Sequence, residues 1–290
     1  MKFLALIIAL VLLQYWGSAG PVHRDAWFRD VVGRFNSSGL GSSLGLALSV
    51  LVPSLLLLWL LDFVEGWALG LIPLGLSVLV LLYSFGRGDF EALVEQYREY
   101  CQHGDFEAAF LFAEQQLGAD CTEPCPSGAE ELHRWVKARI CYLGFERWFG
   151  VMFYFLLLGA PGALAYRLLR LYGDNCEEGA QLDTLRRVQY YVDWVPARLL
   201  VFAFAVTGDW VGSREQLTTS LSDTKSSTGD MLADGAHAAL GLKSTVFSSD
   251  NGDKEAFAEV SSWEISQLQS LLSRSAVAWV VVLALLVLLL

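Results

Sequence analysis

Apolar residues run along this chain in long unbroken blocks, separated by polar stretches whose apolar positions recur every three or four residues. The blocks are Phe3–Trp16, Leu44–Leu61, Trp67–Phe85, Trp148–Leu171, Trp194–Gly208 and Ala276–Leu290. A helix needs about 20 apolar residues to cross ~30 Å of hydrocarbon. Leu44–Leu61 and Trp67–Phe85, joined only by Asp62–Gly66, therefore predict a transmembrane hairpin. Phe3–Trp16 lies behind Lys2 and ends in Gly17-Ser18-Ala19-Gly20, so it mimics a secretory signal with a small-residue cleavage site. Trp148–Leu171 is interrupted at Gly159-Ala160-Pro161-Gly162 and predicts a broken helix. Trp194–Gly208 is shorter and reads as a half-span, a re-entrant segment or a tilted interfacial helix. Ala276–Leu290 predicts a C-terminal anchor, for four or five crossings in all.

The polar stretches read as helices and loops. Gly88-Asp89-Phe90-Glu91-Ala92 recurs as Gly104-Asp105-Phe106-Glu107-Ala108. In each copy an aspartate suits the N-cap and a glutamate the positive end of the helix dipole, which predicts an α-hairpin. Residues 118–128 read as a loop and Ala129–Trp148 as an amphipathic helix entering the membrane. Residues 209–230, rich in Ser, Thr, Asp and Gly, read as loop-like, with helices over 231–242 and 254–272. No strand alternation persists, so the fold class is all-α: a polytopic helical membrane protein with a cytoplasmic helical insert. The segments are 1–85 (N-terminal membrane helices), 86–147 (cytoplasmic insert), 148–208 (broken helix and half-span), 209–274 (cytoplasmic helical region) and 275–290 (anchor).

Charge sets the orientation. Residues 18–43 hold Arg24, Arg29 and Arg34, whereas the 62–66 loop holds two acids and no base. The positive-inside rule then puts the N-terminus outside and the 86–147 and 209–274 segments in the cytoplasm. The composition agrees with a membrane protein: of 290 residues 54% are apolar and 18% charged. A net charge of −11 argues against a nucleic-acid partner, since phosphate backbones require a basic surface.

Little in the chain resembles common enzyme chemistry. Five cysteines, at 101, 121, 125, 141 and 176, are an odd number in a chain too long to need disulfide staples, and read as reduced thiols. Cys121, Cys125, His133 and His103 lack the paired spacing of a zinc site, so neither metal nor cofactor is expected. Gly39-Leu40-Gly41-Ser42-Ser43-Leu44-Gly45 has no preceding strand and reads as close helix packing rather than dinucleotide binding. The informative charges are Glu146, Arg167, Arg170, Asp193 and Arg198. They lie in or beside apolar segments, where a charge is expensive and faces a cavity, a partner or a head group. Asp193 and Pro196 suit a helix start, and Arg198 in its first turn would oppose the dipole unless an anion or carboxylate sits there. Arg167 and Arg198 are expected to converge on such a group, or alternatively to form ion pairs with Asp193 or Glu146.

Two runs carry a resemblance: Leu158-Gly159-Ala160-Pro161-Gly162-Ala163-Leu164-Ala165-Tyr166-Arg167 and Val192-Asp193-Trp194-Val195-Pro196-Ala197-Arg198-Leu199. They resemble the paired signatures of a superfamily that includes the CobD/CbiB membrane synthases and the AmpE proteins, and the AmpE branch is the more similar across essentially the whole chain. That resemblance implies a bacterial inner-membrane regulator or sensor in β-lactamase induction and muropeptide signalling, with Phe3–Trp16 retained. Its implied partners are membrane lipids, an anionic ligand such as a cell-wall fragment, a cytoplasmic protein and possible copies of itself. The synthase reading implies instead a transferase or amide-forming ligase using Glu146, Arg167 and Arg198 around a phosphate. The acidic and amide-bearing motifs that the synthases share are replaced here by residues 138–146 and 168–174, which keep only Glu146 and Asp174 as acids. A transport accessory is a third class, because transporters also build sites from broken helices.

Overall fold

The computed structural model describes residues 2–16, 25–37, 42–66, 70–86, 90–117, 128–173, 180–223, 226–242 and 254–289. Among these every regular element is helical. The helices are α1 (Lys2–Trp16), α2 (Ala26–Ser37), α3 (Ser42–Phe63), α4 (Leu71–Ser84), α5 (Phe90–Gln102), α6 (Phe106–Gln116) and α7 (Ala129–Gly144). A π-helical turn (Phe145–Phe149) then leads to α8 (Gly150–Leu158), α9 (Ala160–Gly173), α10 (Ala180–Thr207), α11 (Trp210–Ser222), α12 (Thr228–Ala239) and α13 (Lys254–Leu289). Four stretches are long and apolar enough to cross a membrane: Ser43–Phe63, Ala129–Leu158, Gln181–Thr207 and Glu255–Leu285. Lys2–Leu13 and Leu71–Ser84 are shorter apolar helices. The protein is thus a polytopic α-helical membrane protein. Leu51, Leu55, Leu56, Leu58 and Trp59 of α3 are all exposed, the surface a lipid-facing helix presents.

The chain forms two compact units. One comprises Met1–Gly88, Glu146–Pro196 and Leu283–Leu290; the other comprises Asp89–Phe145 and Ala197–Val282. In the first, α9 packs against α3, α4 and α8, and α1 packs on α4. In the second, α7 packs on α12 and α6, α11 on α12, and α5 on α6. The core of this second unit includes Val94, Tyr97, Val136, Ile140, Leu232 and Leu271.

The interruption at residues 159–162 reverses the chain. Gly159 takes φ 75°, a conformation that costs glycine little, and α9 restarts with Pro161 in its first turn, where a missing N–H is no loss. Tyr154 of α8 then stacks on Tyr166 of α9 with ring centroids 5.3 Å apart, so the two helices run antiparallel. Gly162 permits this close approach: a β-carbon there would lie 2.5 Å from the Tyr154 carbonyl oxygen.

Two sequence expectations are corrected. Residues 209–230, expected to be loop-like, contain α11 and the start of α12. Asp209 caps α11 by accepting from the Val211 amide at 3.0 Å. The hydroxyls of Ser213, Thr219 and Ser222 donate back to carbonyls four residues earlier, so Ser/Thr richness here is absorbed inside a helix. Ser227 caps α12 by accepting from the Asp230 amide at 3.1 Å. Nor does a helix start at Asp193: α10 begins at Ala180 and runs through Pro196 as one 28-residue helix. Arg198 is therefore not in a first turn, and the dipole argument for an anion beside it lapses. In the other polar hairpin Asp105 caps α6 as expected, accepting from the Ala108 amide at 3.0 Å. Asp89, Gly39–Gly41 and residues 17–20 lie outside the described residues.

Candidate functional site

The charges singled out in the sequence fall in both units. In the first unit the antiparallel α8–α9 pair sets the frame. Gly150 lies where any β-carbon would overlap the Tyr166 ring, so the absence of a side chain there lets Tyr166 reach into the helix interface. Arg170, one turn beyond Tyr166 on α9, donates to its hydroxyl oxygen at 2.9 Å and holds its guanidinium carbon 5.1 Å from the ring centroid.

Asp193 of α10 completes the cluster. Its carboxylate accepts from the Tyr166 hydroxyl at 3.1 Å and from Arg170, with which it forms an ion pair. The two side chains are 8% and 1% exposed, which makes this a buried pair rather than a surface one. Each charge offsets the desolvation of the other, and Tyr166 supplies the second hydrogen bond that buried pairs require. The structure thus brings together Arg170 and Asp193, two of the five sequence candidates. Glu146, in the π-helical turn, is near enough for its charge to act on Asp193. Such turns recur at functional positions in helices. Arg167, half-buried on α9, exerts its charge on the Tyr83 hydroxyl of α4.

Arg198 belongs to the second unit, where it is 7% exposed and donates to the Asp223 carbonyl oxygen. The ion-pair partner that the structure gives Asp193 is Arg170.

Sequence reasoning missed the tyrosines. Pro196 lacks an N–H, which would leave the Val192 carbonyl four residues earlier without its helical donor. The Tyr154 hydroxyl donates to that carbonyl oxygen at 2.7 Å. The only legible signal was spacing, since Tyr166 stands four residues before Arg170 and Gly150 four before Tyr154.

His133 has Nε2 3.2 Å from Glu264 Oε2 and Nδ1 3.4 Å from the Tyr97 hydroxyl, while Cys121 and Cys125 lie outside the described residues. Cys101 and Cys141 are buried free thiols. Burial pushes the Cys101 thiol pKa upward, which leaves it a poor nucleophile.

A family model described as regulatory signalling modulator protein AmpE matches residues 1–288. No curated protein and no solved structure matches.

Proposed function

Because this chain belongs to the AmpE family of regulatory signalling modulators, we propose that it is a non-catalytic inner-membrane regulator of β-lactamase induction that responds to an anionic ligand, such as a cell-wall fragment or lipid head group. The observation carrying this reading is the buried Tyr166–Arg170–Asp193 cluster, set between apolar helices, with the Glu146 charge acting on it. A chain that needed only to span the bilayer would have no use for such a group, and intramembrane ionisable residues mark functional positions. The α8–α9 reversal favours the same reading. It returns Arg167 toward the level of Gly150, near the polar entry of the hairpin, where a head group or soluble anion can approach it.

In this reading Arg170 is held by Asp193, Arg167 supplies the charge that meets the ligand, and Glu146 tunes Asp193. Arg198 anchors the first residues of the second unit. The N-terminus is periplasmic, and the polar helices of the second unit face the cytoplasm, where a protein partner reads the state. The expected experiment is β-lactamase induction by a sub-inhibitory β-lactam in cells carrying Arg167→Lys or Arg198→Lys. Both keep the charge but lose the planar two-pronged donor set. Induction should fall severalfold in Arg167→Lys at unchanged membrane abundance, with Arg198→Lys as the comparison outside the ligand contact; unchanged induction in Arg167→Lys would remove the ligand reading.

A further inference from the structure

The second unit contains a cavity of about 330 Å³, walled by one stripe of α7, one of α12 and one of α13. On α7 the lining residues run from Glu130 to Cys141 at three- and four-residue spacing, which keeps them on a single helical face. Phe257, Val260 and Leu268 of α13 supply apolar wall. The volume lies at the small end of the range for ligand pockets.

The polar lining is not exhausted by contacts within the protein. Lys137 Nζ donates to Glu264 Oε2 at 2.6 Å, and the same oxygen meets His133, whose other nitrogen meets buried Tyr97. This chain fixes the ammonium at the wall, yet Glu264 takes only one of its three N–H donors. His237 of α12 lines the same cavity, and among the described residues no hydrogen bond reaches its ring. Burial lowers its pKa, so it is neutral near pH 7 and offers one donor.

Toward α7's N-terminus stand Glu130 and Arg134, 3.7 Å apart and largely exposed, a pairing too solvated to consume either charge. Asp234 of α12 adds a third carboxylate to the lining. A wholly anionic ligand would meet this acid excess, and a wholly cationic one would leave the Lys137 and His237 donors unused. A ligand with separated opposite charges answers both. Glu130 and Lys137 are seven residues apart, two turns and about 10 Å along the axis. An extended peptide advances at most ~3.3–3.6 Å per residue, so the termini of a tripeptide match that separation.

We propose that this cavity binds a short free peptide of about three residues, its carboxylate on Lys137 and His237 and its ammonium at Glu130 and Asp234. The site is separate from the membrane cluster and does not depend on the reading given to it. The test is calorimetric titration of the full-length protein in detergent with a panel of free di- and tripeptides that includes trialanine. At least one member should bind saturably and lose tenfold or more in affinity when its C-terminus is amidated or its N-terminus acetylated. His237→Gln and Asp234→Asn should each weaken binding at least threefold with melting temperature retained, so the result does not hang on Lys137→Gln, which also breaks a structural ion pair. Arg167→Lys should bind as the unsubstituted protein does. Absence of saturable binding across the panel, or equal binding of blocked and free peptides, would overturn the proposal.

Discussion

The Tyr154 hydroxyl donates at 2.7 Å to the Val192 carbonyl oxygen, the group whose helical donor Pro196 cannot supply. A carbonyl left without a donor in an apolar setting costs about 1–3 kcal/mol. Tyr154→Phe should lower the detergent melting temperature accordingly. In a Pro196→Ala background, where the restored amide reaches Val192, the same substitution should cost much less. Equal losses in both backgrounds would show that the hydroxyl has no such role.

Removing one partner of a buried ion pair strands the other, at a cost of roughly 3–5 kcal/mol. Asp193→Asn and Arg170→Gln should therefore each reduce melting temperature and membrane abundance. The double variant Arg170→Met with Asp193→Leu should recover part of the loss, because no charge is then left buried. Thermal unfolding of the four proteins reads this directly, and a double variant less stable than either single would contradict the pairing.

Close approach of α8 and α9 depends on Gly162. Gly162→Ala sets a methyl group against the Tyr154 carbonyl and should destabilise by about 1–3 kcal/mol through overpacking. Gly75→Ala, whose β-carbon would meet nothing within 4 Å, serves as the control and should be neutral or slightly stabilising. A melting curve for Gly162→Ala that overlays that of Gly75→Ala would refute the packing argument.

His237 makes stability depend on pH. Burial depresses its folded pKa below the unfolded value, so the neutral imidazole is favoured in the fold. The associated stability is present above about pH 6.5 and is lost as pH falls through that value toward the lower folded pKa. Melting temperature should drop between pH 7.5 and 5.5, and His237→Gln should flatten part of that slope. An identical slope in the variant would exclude the residue as a contributor.

Orientation is checked with fusions of a cytoplasm-dependent reporter. Activity is expected after residue 110 and not after residue 64, from the arginine asymmetry of residues 18–43 against 62–66. The opposite pattern would invert the proposed topology.

The Leu44–Leu61 span was legible because its signal is additive, whereas Trp67–Phe85, expected as a second spanning arm, forms only the shorter helix Leu71–Ser84, and the spans Ala129–Leu158 and Gln181–Thr207 were obscured by the charges in their polar halves. The break at Gly159–Gly162 was legible too, since glycine and proline act locally. Helix α11 was not, because the sequence shows serine and threonine but not that their hydroxyls turn back onto the preceding turn. The start of α10 was misplaced for a related reason. Pro196 signals an end or a start, and only the tertiary donor Tyr154 explains a helix that continues through it. Charges at 146, 167, 170, 193 and 198 stood out by cost alone, whereas which arginine meets Asp193 depends on how α9 turns back, a long-range property that no local pattern encodes. The α7–α12–α13 cavity escaped notice because its polar residues are ordinary ones on amphipathic helices, and only their convergence is informative.

Helix α13 runs unbroken for 36 residues, about 54 Å, nearly twice the ~30 Å of hydrocarbon that its apolar end has to cross. If the apolar end spans that thickness upright, roughly 24 Å of the helix stands clear of the lipid, with Glu264 on the projecting arm. Such a rod would be a lever pivoting at the bilayer surface, its far end swinging by about 4 Å for a tilt of about 10°. Helices adjust tilt when bilayer thickness changes, and in that arrangement the thickness of the lipid would bear on the position of one wall of the cavity through a single piece of backbone.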